Sequence, residues 1–268
     1  MQLTCIVAAI LSPALLVAAD GPYFVTYSHR MEEPGNLEVA VHTVTGRPKE
    51  ETRFYNTLFE FEYGVKAWWT AELYLSRDSA RVENRFRPLM REHWINPVIY
   101  VEYADLNGAD KSLREIVGHD SREVEAGARL KRKREIETKL ILSSNFRGWN
   151  VSENFIAEKN LANEPWEFGY ALGMNRPLAK AARPDRCRLC PENFSAGLEL
   201  YGGLGTRYEF GLRGTSHYLA PTIAWTLPNN TVFKFSPSFG LTGESYRTLF
   251  RFTLAHEINQ FPRLFRRR

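Results

Sequence analysis

The stretch Leu58-Phe59-Glu60-Phe61-Glu62-Tyr63 decides the fold class, because its side chains alternate between two kinds. Phe59, Phe61 and Tyr63 share one face, and the two carboxylates share the other. A period of two residues is that of a β-strand, in which successive side chains point to opposite faces. The stretch therefore predicts a strand with one aromatic face and one acidic face.

The same alternation recurs near the end of the chain, in Thr222–Leu227, Val232–Ser236 and Leu249–Leu254. A soluble barrel would enclose the apolar faces of such strands. A membrane barrel instead turns them toward lipid and keeps the polar faces in its lumen. Average hydropathy does not decide between the two, because alternating strands give only a weak signal in such an average.

Strand-like segments are spread over most of the chain. They predict an all-β fold, an antiparallel transmembrane β-barrel of about 12 strands, with about 10 to 14 as the range. The segment Arg81–Glu92 could extend the fourth strand, and Lys111–Val117 has the spacing of a short helix or ordered loop. The candidate strands are Asn36–Thr45, Arg53–Tyr63, Lys66–Ser76, Ile95–Asp105, Glu123–Leu130, Ile136–Asn145, Val151–Asn160, Trp166–Asn175, Phe194–Gly203, His217–Leu227, Thr231–Phe239 and Tyr246–Ile258.

The connections between these segments alternate in length. Tyr63–Lys66 and Pro228–Asn230 are predicted as tight hairpin turns, whereas Gly46–Glu51 and Gly240–Ser245 are longer. In outer-membrane barrels the short turns lie at the periplasmic end with both termini, and the longer loops lie outside. The order fits an even number of strands and predicts one long connection, Arg176–Asn193, at the periplasmic end.

The first residues are predicted to be a secretory signal peptide, Met1–Ala19, in which an apolar run ends in small residues before Asp20. The alternative is a buried N-terminal strand or helix. Residues 20–258 then form the barrel domain, and residues 259–268 form a basic C-terminal tail. After cleavage Cys187 and Cys190 remain, and in an oxidising compartment they are predicted to form a small loop disulfide. Thiol exchange is the alternative.

Charge and composition exclude some functions. The chain has 35 basic and 31 acidic residues, a balance that does not indicate nucleic-acid binding. The basic runs Lys131–Arg134 and Arg266–Arg268 are typical of solvated loops and tails, or of contacts with anionic lipid head groups.

Motifs for catalysis are incomplete. His256–Gln260 lacks the second histidine of a zinc-protease helix, and adjacent pairs such as Ser216-His217 point to opposite faces of a strand. No His-x-Ser spacing is present. We therefore predict no catalytic residue, no metal site and no cofactor.

The last strand places Phe250, Phe252, Leu254 and Ile258 on one face, with His256 between them. It resembles the C-terminal strand signature of bacterial outer-membrane β-barrel proteins. Other segments, Asn96–Tyr103 and Gly214–Pro221 among them, resemble uncharacterised, transporter-like members of that class. The resemblance implies location in the bacterial outer membrane, contact with its lipid and assembly by the barrel-assembly machinery.

The parity of the strands assigns side chains to two faces. A passive pore or a structural barrel with a charged lumen is the predicted role, with small solutes as candidate partners. The alternatives are an outer-membrane lipid hydrolase and a soluble periplasmic β-barrel that binds a small ligand. The predicted lumen-lining residues are Glu60, Glu62, Glu102, Glu167, Lys234 and Arg251, and the predicted lipid-facing residues are Phe59, Phe61, Ile223, Phe233, Phe235, Phe250 and Phe252.

Overall fold

The computed structural model describes residues 21–47, 54–107, 132–162, 164–179 and 189–265. They contain twelve antiparallel strands in one closed barrel, which confirms the predicted fold class. Two short 3₁₀ helices lie outside the wall, Pro191–Asn193 and Phe261–Phe265. The strands are β1 (Leu37–Arg47), β2 (Phe54–Lys66), β3 (Trp69–Leu75), β4 (Ala80–Phe86), β5 (Asn96–Asn107), β6 (Arg132–Phe146), β7 (Trp149–Asn160), β8 (Trp166–Pro177), β9 (Phe194–Thr206), β10 (His217–Thr226), β11 (Thr231–Gly240) and β12 (Thr248–Ile258).

The first and last strands close the barrel. β1 pairs with β12 without interruption, from Leu37 opposite Ile258 to Arg47 opposite Thr248. Every other strand pairs with its neighbours in sequence. Each strand therefore has two hydrogen-bonded partners, and closure removes the free edges that an open sheet would present.

The strand assignments from sequence need one correction. β4 is a strand of its own, paired with both β3 and β5, and does not extend the next strand. The connection Ser76–Ser79 that separates it from β3 contains serine and aspartate but no glycine or proline, so the strongest sequence signals of a turn are missing. The predicted strand Glu123–Leu130 and the helical segment Lys111–Val117 lie outside the described residues.

One predicted hairpin turn is displaced. β2 continues through Gly64 to Lys66, which pairs with Trp69 after a β-bulge, so the tight turn falls at residues 67 and 68 rather than at Tyr63–Lys66. The turn at Pro228–Asn230 is where the sequence places it, and the Asn230 amide donates to the Leu227 carbonyl at 3.1 Å.

The two ends of the barrel differ in their connections. We call the end where β1 begins and β12 ends the terminal mouth, and the other end the opposite mouth. The long connection between Pro177 and Phe194 lies at the terminal mouth, as predicted. Cys190, in this connection, is disulfide-bonded. Cys187, the predicted signal peptide Met1–Ala19 and residues 266–268 lie outside the described residues.

The outer surface of the barrel is apolar and aromatic. Phe59 is 50% exposed, Phe252 46% and Ile223 40%. Among the described residues, no helix is both long enough and apolar enough to cross a membrane. All seven residues of the predicted lipid-facing set lie on the outward side of their strands, opposite in parity to buried neighbours: Phe59, Phe61, Ile223, Phe233, Phe235, Phe250 and Phe252.

Aromatic side chains gather on the outside near the terminal mouth. Trp68, Trp69 and Phe86 stack with ring centroids 6.1–6.4 Å apart. Farther round the barrel, Trp225 stacks between Phe194 and Phe233, with ring centroids 6.0 Å and 5.5 Å away. Tryptophan concentrates at the boundary between lipid and water, where one end of the ring is apolar and the other is wet. The cluster has the composition of a membrane-interface girdle.

The replacement Phe235→Arg tests the outward face. Phe235 lies in the middle of β11, and its ring packs at a tilt of 35° against that of Phe252, with centroids 4.9 Å apart. A charge facing lipid near the midplane should lower the free energy of unfolding by about 2–4 kcal/mol. A guanidinium titration in lipid vesicles measures it, with Phe235→Leu as the control that shortens the side chain without adding charge. An equal loss in both variants would contradict a lipid-facing position.

Candidate functional site in the lumen

Residues 21–36, which we call the luminal segment, lie inside the barrel and not in its wall. Tyr23, Val25, Thr26 and His29 are each at most 5% exposed. The hydroxyl of Tyr23 contacts Asn150 near the start of β7, at the terminal mouth. The segment then reaches the middle of the barrel and returns to the same mouth, where β1 begins. It therefore occupies the half of the lumen next to the terminal mouth.

One buried carboxylate holds the turn of this segment. Glu199 on β9 accepts the backbone N–H groups of Phe24 at 3.1 Å, Val25 at 2.9 Å and Thr26 at 2.7 Å. On β7, two strands away, Asn154 accepts the N–H of Tyr27 at 2.6 Å and donates to its carbonyl at 2.9 Å. These contacts satisfy backbone groups that the lumen removes from bulk water.

Glycines in the wall make room for the luminal segment. A Cβ atom on Gly64 would lie 2.1 Å from the carbonyl oxygen of Glu33. On the other side of the barrel, a Cβ on Gly173 would lie 2.6 Å from the ring of Tyr23. Because backbone and a packed aromatic ring cannot yield easily at such distances, only glycine permits this approach at both positions.

His29, Ser143 and Glu92 form a chain of hydrogen bonds where the segment leaves the lumen. His29 Nδ1 is 2.8 Å from the Ser143 hydroxyl, and His29 Nε2 is 3.0 Å from the Glu92 carboxylate. Burial lowers the pKa of His29, which favours a neutral imidazole that accepts from Ser143 and donates to Glu92.

This order of donors matches that of a catalytic nucleophile, base and acid. Because the three residues are far apart in sequence, their spacing could not reveal the arrangement. Ser143 is 1% exposed, and its oxygen also receives bonds from Asn150 and Ser152. Three partners around one buried hydroxyl leave no approach for a substrate carbonyl. The arrangement tethers the luminal segment to β6.

The lumen is acidic. Among the described residues, ten glutamates are buried, against four lysines and arginines. Of the predicted lumen-lining residues, Glu60, Glu62, Glu102, Lys234 and Arg251 are buried and point inward, and Glu167 is half-buried on the inward face at the opposite mouth.

The most buried ion network has Arg85 at its centre. This side chain is fully buried, and its guanidinium binds Glu62, Glu72 at 2.5 Å and Glu83 at 3.5 Å. The guanidinium also lies 5.3 Å from the centre of the Tyr27 ring, in the luminal segment. Removing one partner of such a group leaves an uncompensated buried charge, which typically costs about 3–5 kcal/mol.

Further charged groups surround a cavity of about 120 Å³ in the middle of the lumen. Arg81 lies 3.4 Å from Glu102, and His42 binds Glu60. Lys139 lies 2.9 Å from Glu137 and 4.0 Å above the ring of Tyr100. Lys234 and Arg251 also line this cavity, together with Tyr23–Tyr27 of the luminal segment.

Sequence reasoning missed the luminal segment and the central role of Arg85. Residues 21–36 resemble an ordinary N-terminal extension, and nothing in their composition indicates that they turn into the lumen. The local sequence signals of the luminal segment are Gly64 and Gly173, which lie within strands. Glycine inside a strand suggests the close approach of another group.

Comparison with known proteins identifies the architecture. No protein-family model matches the sequence, and no curated protein matches it. Among solved structures, the chain is similar to the COG4313 outer membrane channel from Pseudomonas putida F1, with TM-score 0.54, 8% identity and coverage of 85% of this chain and 97% of that one. It is also similar to the KdgM porin, with TM-score 0.51, 7% identity and coverage of 82% and 98%. The fold is that of porin-like outer-membrane barrels.

We predict that Glu199→Leu loosens the luminal segment. The variant removes the acceptor of three backbone N–H groups, each bond being worth roughly 1 kcal/mol. Hydrogen exchange at Phe24, Val25 and Thr26 should accelerate by about tenfold or more. Glu209→Leu, an exposed glutamate in the connection after β9, is the control. Unchanged protection in the Glu199 variant would refute the tether.

We predict that protonated Glu32 stabilises the folded protein, so that the free energy of unfolding falls as the pH rises. Burial, with Glu257 and Glu38 nearby, raises the pKa of Glu32 to about 8. The folded protein therefore keeps a proton that the unfolded chain releases, so the stabilisation is full below pH 4.5 and is lost as pH rises through about 8. Unfolding titrations at pH 5 and pH 9 should show a smaller decline for Glu32→Gln than for the exposed control Glu33→Gln. Equal declines would refute the assignment.

Proposed function

We propose that the chain is a narrow outer-membrane pore for small polar solutes. One observation carries the proposal: a closed twelve-stranded wall is apolar outside and lined by charged side chains inside. Lipid penalises charges on the outer face of such a wall, whereas a water-containing lumen tolerates them when they are paired.

The membrane location is part of the same proposal. The aromatic cluster around Trp68 and Trp69 marks one boundary of an apolar band, and Trp166 lies at the start of β8, near the opposite mouth. Both features support a bilayer-spanning barrel. The start of β1 and the end of β12 at the terminal mouth support its orientation toward the periplasm. They also count against a soluble barrel, because its exposed surface would carry large aromatic side chains in water.

The luminal segment makes the pore narrow. It fills the half of the lumen next to the terminal mouth, and the cavity beyond it holds only a handful of water molecules. Passage therefore depends on the small space left beside the segment or on its displacement. This predicts a low conductance for the intact chain.

Planar-bilayer recording tests the pore. We expect a small unitary conductance for the intact chain and a larger one after deletion of residues 21–33, which keeps Gly35 and Asn36 at the entry to β1. Glu199→Leu should give an intermediate or flickering conductance, because it releases the segment without removing it. Heat-modifiable gel mobility confirms that each variant is a folded barrel. Folded protein with no conductance in any variant would refute the pore.

A further inference from the structure

Nine glutamates stand directly opposite one another on nine neighbouring strands. Each successive pair is a cross-strand pair in the barrel's hydrogen-bonding register. We call this row the glutamate ladder. Its members, in spatial order from β12 through β1 to β8, are Glu257, Glu38, Glu62, Glu72, Glu83, Glu102, Glu137, Glu158 and Glu167.

The ladder runs from one mouth to the other. Glu257 is the residue before the last of β12 and Glu38 the second of β1, so both lie at the terminal mouth. Glu167 is the second residue of β8, at the opposite mouth. Strands in a barrel are tilted, and a row perpendicular to them therefore climbs around the inner wall as a spiral. The carboxylates follow such a path through the lumen.

A row of this kind is costly to the fold. Like charges directly opposite each other destabilise a sheet, and here the same opposition occurs at eight successive pairs. Glutamine at these positions would give the same shape and more hydrogen-bond donors without repulsion. The row is therefore distinguished by its ionisable carboxyl groups and not by polarity alone.

The chain's own cations occupy the middle of the ladder. Arg85 binds three consecutive members, Arg81 lies 3.4 Å from the next, Glu102, and Lys139 lies 2.9 Å from Glu137. Guanidinium and ammonium groups therefore fit these rungs. One oxygen of the fully buried Glu83 accepts no hydrogen bond and is 3.5 Å from Arg85 Nε. This oxygen is left with spare capacity for a donor or a cation.

At the terminal mouth, two ladder carboxylates and that of the neighbouring Glu60 are close enough to share a cation. Oxygens of Glu38, Glu60 and Glu62 lie within 4.8 Å of one another, and all three residues are buried. Oxygen ligands from several carboxylates are the usual partners of hard cations and of ammonium groups.

From these observations we propose that the glutamate ladder is a cation pathway, which makes the pore selective for cations, including organic cations that carry ammonium or guanidinium groups. The proposal rests on the proposed pore function. Cations move along the lumen by exchanging between neighbouring rungs, as ions do where charged side chains line a pore. Arg81, Arg85 and Lys139 partly neutralise the middle of the row, and the rungs at its ends extend the carboxylates to each mouth.

Reversal potentials in a potassium chloride gradient test the proposal on the full chain. Wild-type protein should give a potassium-to-chloride permeability ratio above one. The double variant Glu158→Gln with Glu167→Gln removes two rungs near the opposite mouth without touching Arg85. Its potassium-to-chloride permeability ratio should fall by roughly fivefold. This factor corresponds to the interaction with about one unit charge through water at about 4 Å.

Two matched control variants distinguish an effect of the ladder on the permeability ratio from an effect of the protein's overall charge. Glu153→Gln lies on β7 like Glu158 but on the outward face, and should leave the ratio unchanged. Glu135→Gln removes a buried inward carboxylate two residues away from Glu137 and off the ladder, and should change the ratio less than the double variant does. An equal change with Glu135→Gln would overturn the ladder as the pathway.

Spermidine, a linear triamine, tests the class of organic cations. Added to one side, it should reduce the potassium current of wild-type protein, and reduce that of the double variant less. Equal block of both proteins by spermidine, or a wild-type potassium-to-chloride permeability ratio at or below one, would overturn the cation pathway. Neither result would contradict the pore function. Folded protein that carries no current would instead refute the pore function itself.

Discussion

The pairing of β1 with β12 is the contact on which the rest of the structure depends. In lipid, every backbone N–H and C=O must find a partner within the protein, and a sheet achieves this only when it closes. Closure fixes the register of every strand, and register fixes which side chains point inward. The apolar outer band, the charged lumen and the glutamate ladder all follow from this one condition.

Closure also places many carboxylates inside the barrel, where each of them needs a partner. A shift of one residue in a single strand would bring its glutamates to the outer face, where lipid would penalise each of them. Inside, the carboxylates need partners, and the chain supplies them from two sources. Arg85, Arg81 and Lys139 come from the wall, whereas the luminal segment offers backbone N–H groups to Glu199. The segment therefore helps to stabilise the acidic interior, and it also fills half of the lumen.

The sequence predicts the wall well and the interior poorly, for physical reasons. Alternation in stretches such as Leu58–Tyr63 depends only on neighbours in the chain, so the strands and the two faces can be derived from it. β4 is the exception: its segment also fits an extension of the next strand, because the turn before it contains no glycine or proline. The ladder could not be derived, because it depends on the register between strands, and each of its members is a single glutamate on its own strand. His29 meets Ser143 only because the luminal segment folds back into the barrel, 114 residues away in sequence.

We expect the charged face of each strand to face water in the lumen and the aromatic face to contact lipid. Lys234 and Phe235 are neighbours on β11 and test it as a pair. In protein reconstituted in bilayers, with Cys187 and Cys190 replaced by serine, Lys234→Cys should react with a small water-soluble methanethiosulfonate, and Phe235→Cys should react only with a lipid-phase reagent. The opposite pattern, with aqueous labelling at position 235 and lipid-phase labelling at position 234, would contradict the account.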